Sequence, residues 1–393
     1  MAKSVFLDTF IRYHHEPPLK FNFNFSNPIY WWCARPESTS LTDYLKSKDL
    51  YETFLDDLKN KNGLLAIDFS QDPVHIKQAE KLFLLNGNLT IFSENKINLN
   101  RLVILTASPD ELYFDEATDN FSTFIRPKKV TRPYKHIFFN SLFQHTKLAY
   151  LTKVAKTYKR KPTKHFICNS YRDAIPRQLA NSLFHKYDLF DKNYISHNRF
   201  IQNDPLTDIQ KFKKVKNIFR QEDTFDVVSF LKHGFKKHYL DNPESKGHAT
   251  HAYYWHNELS ADVCFEVVIE TCVSQNKRFL TEKFIKAVLS KNIFLLIGNP
   301  HSLDWLKSLG FKTFSGIIDE SYDSEEVFYK RLLMVFEEIK RLCTYDVPVL
   351  HNKISKINDV VEHNFNHFLN NTWDFNLIQN IQTYMDKIND KKL

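Results

Sequence analysis

The sequence predicts an α/β protein with two Rossmann-like domains in tandem and a helical tail at its C-terminus. In both halves of the chain, short apolar runs rich in β-branched and aromatic residues alternate with segments of helical periodicity. The 393 residues, 42% of them hydrophobic, also suffice for two cores rather than one. We expect domains at residues 1–150 and 160–345, followed by the tail at 346–393.

The first half predicts strand, helix and strand with short connections. "LLAIDFS" at 64–70 is apolar and bounded by glycine and proline, and "RLVILTAS" at 101–108 has the same character. A helical pattern at 74–85 lies between them, and 136–143 is a further strand candidate. The basic stretch 152–165 contains a proline and is predicted to link the domains.

The second half repeats the pattern. The apolar runs alternate with amphipathic segments, which is typical of a parallel sheet with helices between its strands. The predicted strands are 165–170, 193–198, 263–271 and 292–298, and the predicted helices are 175–187, 281–291, 302–310 and 324–342. The polar, basic stretch 200–250 interrupts this series.

Cysteine usage and hydropathy argue against a secreted or membrane-spanning protein. The 5 cysteines are odd in number and never form C-x-x-C, so we expect neither a disulfide framework nor a zinc knuckle. Charged residues and histidines interrupt the N-terminal stretch where a signal peptide would stay apolar. The longest apolar runs, such as "IFLLI", are too short to cross a bilayer. A cytoplasmic protein with no membrane span is expected.

The charge balance favours an anionic partner. Lys and Arg exceed Asp and Glu by 54 − 46 = 8, and much of the excess falls in the runs 152–165, 211–216 and 231–238. Such runs either form a solvated face or attract nucleotide phosphates, an acidic glycan or nucleic acid.

The stretch "RFLTEKFIKAVLS" predicts a helix whose first turns carry a capping threonine and several charged residues. Thr281 is a good N-cap, which places Glu282 and Lys283 in the first turn. Lys283 and Lys286 then lie near the positive end of the helix dipole, where a cation is unfavourable unless an anion such as a diphosphate is bound. Glu282 could accept hydrogen bonds from a ribose diol. The alternative is an ordinary capped helix with surface charges.

The next strand leads to a second helix start. Gly298 and Asn299 end the apolar run, and "PHS" opens the following helix. Loops that follow parallel strands face the carboxyl edge of the sheet, where α/β proteins bind ligands. Two helix N-termini at one edge predict a phosphate or sugar site.

A family resemblance supports this interpretation. "FEVVIETCVSQNKRFLTEKFIKAVLSKNIFLLIG" resembles the C-terminal nucleotide-sugar motif of fucosyltransferase-like glycosyltransferases of the GT-B architecture, and "LKSLGFKTFSGIIDESYD" is similar to bacterial and phage glycosyltransferase-like proteins. "FICNSYRDAIPRQLANSLFHKYDLFDKNYISHN" resembles the first strand and helix of the same domain. The resemblance covers about 165 to 335.

The resemblance implies roles for particular residues. Glu282 corresponds to the residue that holds the ribose, and Lys283 to one on the diphosphate. Arg172, or else Arg177, corresponds to the phosphate-binding arginine of the family, a role that suits its bidentate fork. Phe279 stands where the fucosyltransferases usually have tyrosine, so the donor sugar stays open. The predicted donor-binding residues are Asn169, Arg172, Arg177, Thr281, Glu282, Lys283, Lys286, Gly298 and Asn299.

An inverting transfer needs a general base, whereas a retaining one does not. Asp68 and Asp72, at the end of a predicted strand, are candidates, as is the strand-end acid Glu270. His14, His15 and Glu16 form a further cluster. The sequence does not decide between the two mechanisms.

Two further motifs have several interpretations. In "HATHAYYWHNELS", Tyr254, Trp255 and His256 predict a loop beside a sugar or acceptor, since aromatic rings stack on pyranose faces, although an ordinary aromatic loop is the alternative. No fourth ligand completes a zinc site there. "DESYD" at 319–323 is interpreted as a cap of the following helix, through Asp323 or Ser324. We expect no metal and no cofactor apart from the nucleotide-sugar co-substrate.

The sequence therefore predicts a metal-independent glycosyltransferase that moves a sugar from a nucleotide-sugar donor to a glycan or other acceptor. One alternative is a glycosyltransferase that acts on modified bases of phage DNA, which the basic runs favour. The other is a non-catalytic pair of Rossmann-like domains that binds a glycan or a protein.

Overall fold

The computed structural model contains two compact units, one of which is formed by two separate segments of the chain. Unit 1 comprises residues 1–144 and 372–393, and unit 2 comprises residues 145–371. The residues that the structure describes are 2–6, 24–25, 27–33, 41–69, 90–106, 135–138, 143, 146–147, 150–151, 160–170, 174–197, 227–234, 240, 257–270, 273, 280–371 and 375–390.

Unit 1 is built on a sheet in which five strands run parallel. Its strands are β1 (Ala2–Phe6), β2 (Asn24–Phe25), β3 (Ile29–Cys33), β4 (Leu64–Phe69), β5 (Leu102–Thr106) and β6 (Lys135–Phe138). They lie in the order β2-β1-β3-β4-β5-β6, with β2 antiparallel to β1. From β3 to β6 the strands lie side by side in the order in which they occur in the sequence, so this part of the sheet contains no point at which the strand order reverses.

Helices cover both faces of this sheet. They are α1 (Leu41–Ser47), α2 (Tyr51–Asn60), α3 (Thr90–Glu94) and, from the far end of the chain, α12 (Phe375–Asp390). Tyr30 and Trp32 pack with α1, α2 and α3 on one face. Alternate strand residues on the other face, such as Trp31, pack against Ile381 and Met385 of α12. Because successive side chains of β3 point to opposite faces, this strand contributes to the core on each face of the sheet.

Unit 2 is built on a sheet in which all four strands run parallel. Its strands are β7 (Lys164–Ser170), β8 (Tyr194–His197), β9 (Val263–Ile269) and β10 (Ile293–Ile297), in the order β10-β9-β7-β8. The chain moves outward from β7 to β8 and then returns past β7 to β9. The order therefore reverses between β7 and β9, and ligands of such sheets bind outside the carboxyl ends of the strands at this switch point.

Eight helices belong to the described part of unit 2. They are α4 (Ile175–Lys186), α5 (Val227–His233), α6 (Asn257–Ala261), α7 (Glu282–Leu289), α8 (Ser302–Ser308), α9 (Phe328–Leu342), α10 (Val347–Ser355) and α11 (Asn358–Asn370). Phe166 of β7 stacks on Phe184 of α4, with ring centroids 5.5 Å apart, and this side is called the α4 face. Phe294 of β10 meets Phe284 of α7 at 6.3 Å on the opposite side, the α7 face.

The fold-class prediction is confirmed for its main features: an α/β protein with parallel, Rossmann-like sheets and helices at the C-terminus. The predicted helix at 74–85 lies outside the described residues. The helix predicted at 324–342 begins only at Phe328, because residues 321–324 form a 3₁₀ turn. Strand β3 and helices α1 and α2 were not predicted. In the described part of the chain, no helix combines the length and hydropathy needed to span a membrane.

Candidate functional site

The end of β9 and the start of α7 are joined through one carboxylate. Glu270 directly follows β9, and its Oε1 accepts a hydrogen bond from the backbone N–H of Thr281 at 3.0 Å. Its Oε2 accepts the Thr281 hydroxyl at 2.6 Å. Thr281 is the N-cap of α7, as predicted, and its Oγ1 accepts the backbone N–H of Lys283 at 3.4 Å. Glu270 is 1% exposed, and its two contacts with Thr281 hold the helix start in place. Its predicted catalytic role remains a prediction.

The first turn of α7 adds the charges of Glu282 and Lys283. Together with Glu270 and Lys286 they form a charged cluster at the start of α7. The Lys283 ammonium donates to Thr281 Oγ1 at 2.8 Å and to Glu282 Oε1 at 3.2 Å, and it lies 4.0 Å from Glu270 Oε2. Lys283 and Glu282 are partly exposed. Lys283 is thus already neutralised within the chain, and any diphosphate would have to compete with two carboxylates for it.

The cluster shifts the protonation of its own members. Burial raises the pKa of Glu270, although the Lys283 charge and the Thr281 hydrogen bonds oppose the rise. Burial also disfavours the charged form of Glu282, but Lys283 and Lys286 outweigh it and lower its pKa to about 2. Burial lowers the pKa of Lys286 to about 8, against the attraction of Glu282. Near neutral pH Glu282 is therefore ionised, and a partly exposed carboxylate can accept hydrogen bonds from vicinal hydroxyls.

A further carboxyl group lies in the sheet, close to Lys286. Glu266, in the middle of β9, is 5% exposed and accepts a hydrogen bond from the Asn292 side chain at 2.8 Å. Burial raises its pKa, and Arg160 and Lys286 oppose that rise. Lys286 thus interacts with carboxylates on both sides, Glu266 and Glu282. A buried carboxyl inside an apolar strand was not predicted, since the run "VCFEVVI" was interpreted only as a strand.

The second predicted helix start is already capped. The Asp323 carboxylate accepts the Leu303 backbone N–H at 3.1 and 3.0 Å and that of Asp304 at 3.4 Å. Asp323 therefore caps α8 and not the long helix after it, which corrects the prediction for "DESYD". A carboxylate thus occupies the N-terminus of the helix that follows Gly298 and Asn299, whose predicted part in donor binding remains a prediction.

A buried arginine connects the loops at this edge of the sheet. Arg331 of α9 is 1% exposed, and its Nε donates to the Gly298 carbonyl at 3.1 Å. Nη2 donates to the Val273 carbonyl at 2.5 Å, and Nη1 donates to the carbonyls of Glu325 and Glu326. The loop after β9 and the loop after β10 are thus held by one guanidinium. Burial lowers its pKa to about 10, against the attraction of nearby acids.

The predicted donor residues divide between the two faces of the sheet. Asn169 is exposed, and by alternation with Phe166 it lies on the α7 face, as does Glu270 by alternation from Phe265, which stacks on Phe166 at 5.4 Å. Arg177 is buried in the first turn of α4 and belongs to the other face. The structure therefore groups Asn169 with the α7 residues and Arg177 with α4.

Several predicted residues lie beyond what the structure describes. Arg172, Asp72, Tyr254, Trp255 and His256 fall outside the described residues, as do residues 14–16 and 279. Asp68 belongs to β4 itself, where its backbone is paired with Cys33 and Leu105, rather than to the loop after the strand. Its predicted role as a base remains a prediction.

One group of described side chains has the composition of a metal site. His301, Asp304 and Asp323 place one ligand atom each within 4.8 Å of one another. The Asp323 oxygens, however, accept the N–H groups of α8, and Asp304 lies 3.4 Å from the Lys307 ammonium. The group is accounted for as a helix cap beside surface ion pairs.

Sequence reasoning missed Arg331 and Glu266, although Arg331 left a signal. Arg331 falls on the apolar stripe of α9, three residues after Phe328 and four before Val335. A charged residue at a core position needs partners, and the carbonyls at the carboxyl edge of the sheet supply them.

No protein-family model matches the chain, and no curated protein or solved structure matches it either. The resemblance to fucosyltransferase-like enzymes therefore rests on its motif residues alone.

Proposed function

We propose that the protein is a metal-independent glycosyltransferase that takes its sugar from a nucleotide-sugar donor held by unit 2. One observation carries the proposal. The strand-end acid Glu270 and the Thr-Glu-Lys sequence, which the family resemblance pairs, meet at the carboxyl end of β9, next to the switch point of a Rossmann-like sheet.

In this proposal Glu282 is the donor-recognition residue of α7. Its carboxylate is ionised and partly exposed, so it can accept hydrogen bonds from the two hydroxyls of a ribose. Glu270 keeps the first turn in position through Thr281. The site thus separates a buried positioning carboxylate from an accessible recognition carboxylate.

The reaction requires a good leaving group and an activated acceptor. An acceptor hydroxyl oxygen bonds to the anomeric carbon, the bond from that carbon to the phosphate oxygen breaks, and the nucleoside diphosphate (or CMP, from a CMP-sugar) departs with the electron pair. Lys283 and Lys286 would stabilise the charge that develops on the diphosphate. In an inverting reaction, the hydroxyl proton goes to a base, for which Asp68 and Asp72 stay candidates.

The test is nucleotide binding by the full chain. UDP-, GDP- and CMP-sugars are each titrated at millimolar concentration, and the melting temperature is followed, because a ligand that prefers the native state must stabilise it. Glu282→Gln and Lys283→Met should each lower the affinity for the active donor about tenfold to a hundredfold, which corresponds to the loss of a charge-assisted contact of roughly 1.5–3 kcal/mol.

The matched control is Lys291→Met. Lys291 follows α7 and pairs with Glu362 at 2.8 Å, away from the cluster, so its loss should leave donor affinity unchanged. If no donor shifts the melting temperature, or if Lys283→Met and Glu282→Gln bind the donor as the wild type does, the proposal is wrong.

The internal neutralisation of Lys283 favours a second candidate, a non-catalytic binding module. An ammonium already bonded to Thr281 and Glu282 serves helix capping without any ligand. Incubation with a donor that binds and with candidate glycan acceptors distinguishes the two functions. Transfer or donor hydrolysis above background excludes the binding module.

A further inference from the structure

A carboxylate lies beneath α7, in the middle of an apolar strand. Glu266 of β9 pairs in register with Phe294 of β10. Paired residues of parallel strands point to the same side of the sheet, and the Phe294 ring meets Phe284 of α7 at 6.3 Å. Glu266 therefore faces α7, as does Glu270, which lies an even number of positions further along the chain. The charged cluster at the start of α7 thus has a neighbour inside the sheet.

The hydrogen bonds of Glu266 do not require a charge. Its Oε1 accepts the Asn292 amide at 2.8 Å, and its carboxylate also accepts a hydrogen bond from the Ser260 side chain. A glutamine could accept from the same amide and donate to the serine hydroxyl, which serves as donor or acceptor. A charged carboxylate is far more costly to bury than an amide unless it is paired. The charge at this position therefore points to a cationic partner.

Two cations lie near Glu266, and one of them belongs to the proposed donor site. Arg160 attracts the carboxylate, but its guanidinium already donates to backbone carbonyls at the ends of the strands. Lys286 of α7 attracts it as well. Lys286 follows Glu282 by one helical turn, so the two side chains are neighbours on the surface of α7. Lys286 thus connects the buried carboxylate to the carboxylate that the proposed function assigns to the ribose.

The ammonium of Lys286 stays charged against several opposing effects. Burial lowers the pKa of Lys286 to about 8, and Lys283 acts in the same direction, whereas Glu282 and Glu266 oppose the change. The positive end of the α7 dipole also disfavours a cation there. In the proposed function Glu282 binds the ribose. Glu266 is then the carboxylate that remains for Lys286 while a donor is bound.

The other elements packed against α7 have charges with partners of their own. Strand β10 carries no titratable residue. On α11, which packs on α7, Glu362 pairs with the Lys291 ammonium at 2.8 Å. His363 and His367 of the same helix contact the carbonyls at the end of α8. In the described part of the chain, the charges that act on Lys286 therefore come from α7 itself and from β9.

We propose that Glu266 is a positioning residue of the donor site, which acts through Lys286 and keeps its ammonium charged for the phosphates of the donor. This inference rests on the proposed function. Glu266 is 5% exposed, so its charge reaches the donor through Lys286. A bound phosphate favours the charged lysine, and donor affinity should therefore fall as the pH rises above the pKa of Lys286 in the free protein. Without the charge of Glu266, that fall should begin at a lower pH.

The test measures the affinity for UDP, GDP and CMP by titration calorimetry on the full chain, between about pH 6 and about pH 9.5. Glu266→Gln should weaken the nucleotide that binds about threefold to tenfold near neutral pH, and its affinity should begin to fall at least about one pH unit earlier than in the wild type. The matched control is Glu338→Gln. Glu338 is also 5% exposed in unit 2 but pairs with Arg341 of α9, so the pH profile of this variant should be that of the wild type.

Lys286→Met shows whether the effect passes through Lys286. Once Lys286 is methionine, Glu266→Gln should cause no further loss of affinity and no further change in the pH profile, because residues that act as one unit are not additive. If Glu266→Gln weakens the nucleotide equally with and without Lys286, its effect is independent of that lysine and the inference is overturned.

Melting temperatures without nucleotide separate positioning from structure. Glu266→Gln keeps the Asn292 hydrogen bond and should not lower the melting temperature. Lys286→Met leaves a buried carboxylate without this cation and should lower it, and the double variant should regain part of the loss. A Glu266→Gln protein that melts below the wild type but keeps its pH profile would make Glu266 a structural residue and contradict the inference.

The outcomes also distinguish this inference from the proposed function. If Lys283→Met weakens a nucleotide, while Glu266→Gln leaves both the affinity and its pH profile unchanged, the role of Glu266 is wrong and the proposed function stands. If neither a nucleotide nor a nucleotide sugar binds the wild type, both are wrong.

Discussion

The Glu270 carboxylate and the Thr281 hydroxyl lie 2.6 Å apart, although eleven positions separate the two residues in the chain. This contact, with the Thr281 N–H that donates to the same carboxylate, ties the end of β9 to the start of α7. The position of Glu282 and Lys283 therefore depends on the residue that directly follows the preceding strand.

Thr281→Ala should lower the free energy of unfolding by about 1–3 kcal/mol, since it removes the helix cap and leaves one buried Glu270 oxygen without its donor. Thr281→Ser keeps both hydrogen bonds and should recover most of that loss. Urea denaturation of the three proteins measures the effect. Equal losses for alanine and serine would show that the threonine methyl, and not the hydroxyl, matters.

Arg331→Met should destabilise unit 2 by about 2–4 kcal/mol, because methionine fills similar space but leaves the carbonyls of Gly298 and Val273 without donors. The same variant should weaken donor binding, since the loops after β9 and β10 lose their common contact. Arg331→Lys restores the charge but not the fork, so only partial recovery is expected. Melting temperature and nucleotide affinity are measured on each variant, and full recovery by lysine would contradict the role given to the fork.

His197 should make stability fall in acid. Burial, with the charges of Arg177 and His185, lowers the pKa of His197 from 6.5 to about 4 in the folded protein. Between these values the unfolded chain binds the proton and the folded chain does not, so stability is lost as pH falls through this window. His197→Leu should remove roughly 2 kcal/mol of the loss between about pH 7 and about pH 4.5.

The measurement is the difference between wild type and His197→Leu, which cancels the titration of carboxylates common to both. Parallel stability curves for the two proteins over this range would contradict the prediction.

Gly310→Ala should destabilise unit 2, because Gly310 has a φ of +91° and a Cβ there would lie 2.6 Å from the His367 ring. The imidazole is fixed by a 2.8 Å contact with the Leu309 carbonyl, so it cannot move away freely. A loss of about 1–3 kcal/mol is expected. Gly316→Ala is the control, since its Cβ would meet only Ile357 at 3.8 Å. Thermal unfolding of both variants tests the prediction, and equal melting temperatures would oppose it.

The sequence predicted the regular part of unit 2 well, because buried parallel strands are continuous apolar runs between helices of clear period. It also placed Thr281 at the start of a helix, since an N-cap is a local signal. Long-range partners were beyond it. Asp323 could have capped the helix after it, and only the fold shows that its oxygens reach the backbone of Leu303, twenty residues earlier. The exposed or buried state of Glu270 likewise depends on Thr281 and Lys283 packing over it.

Unit 1 was harder to predict for a physical reason. Strand β3 carries core residues on both faces, and one of those faces is covered by residues near the C-terminus. A pattern confined to neighbouring residues contains no sign of that partner. A helix near the C-terminus was predicted, but its packing against the sheet of unit 1 was not.

The attachment of α12 to unit 1 sets an order for biosynthesis. Ile381 and Met385 are completely buried against a sheet whose strands were made more than 230 residues earlier, as β6 ends at Phe138. While the ribosome is still at work, unit 2 has its whole sequence before unit 1 does, reversing the usual N-terminal-first order of maturation. A nascent chain must therefore keep one apolar side of its first sheet from aggregating until α12 has been synthesised, and a product that stops before α12 would leave that side without this helix.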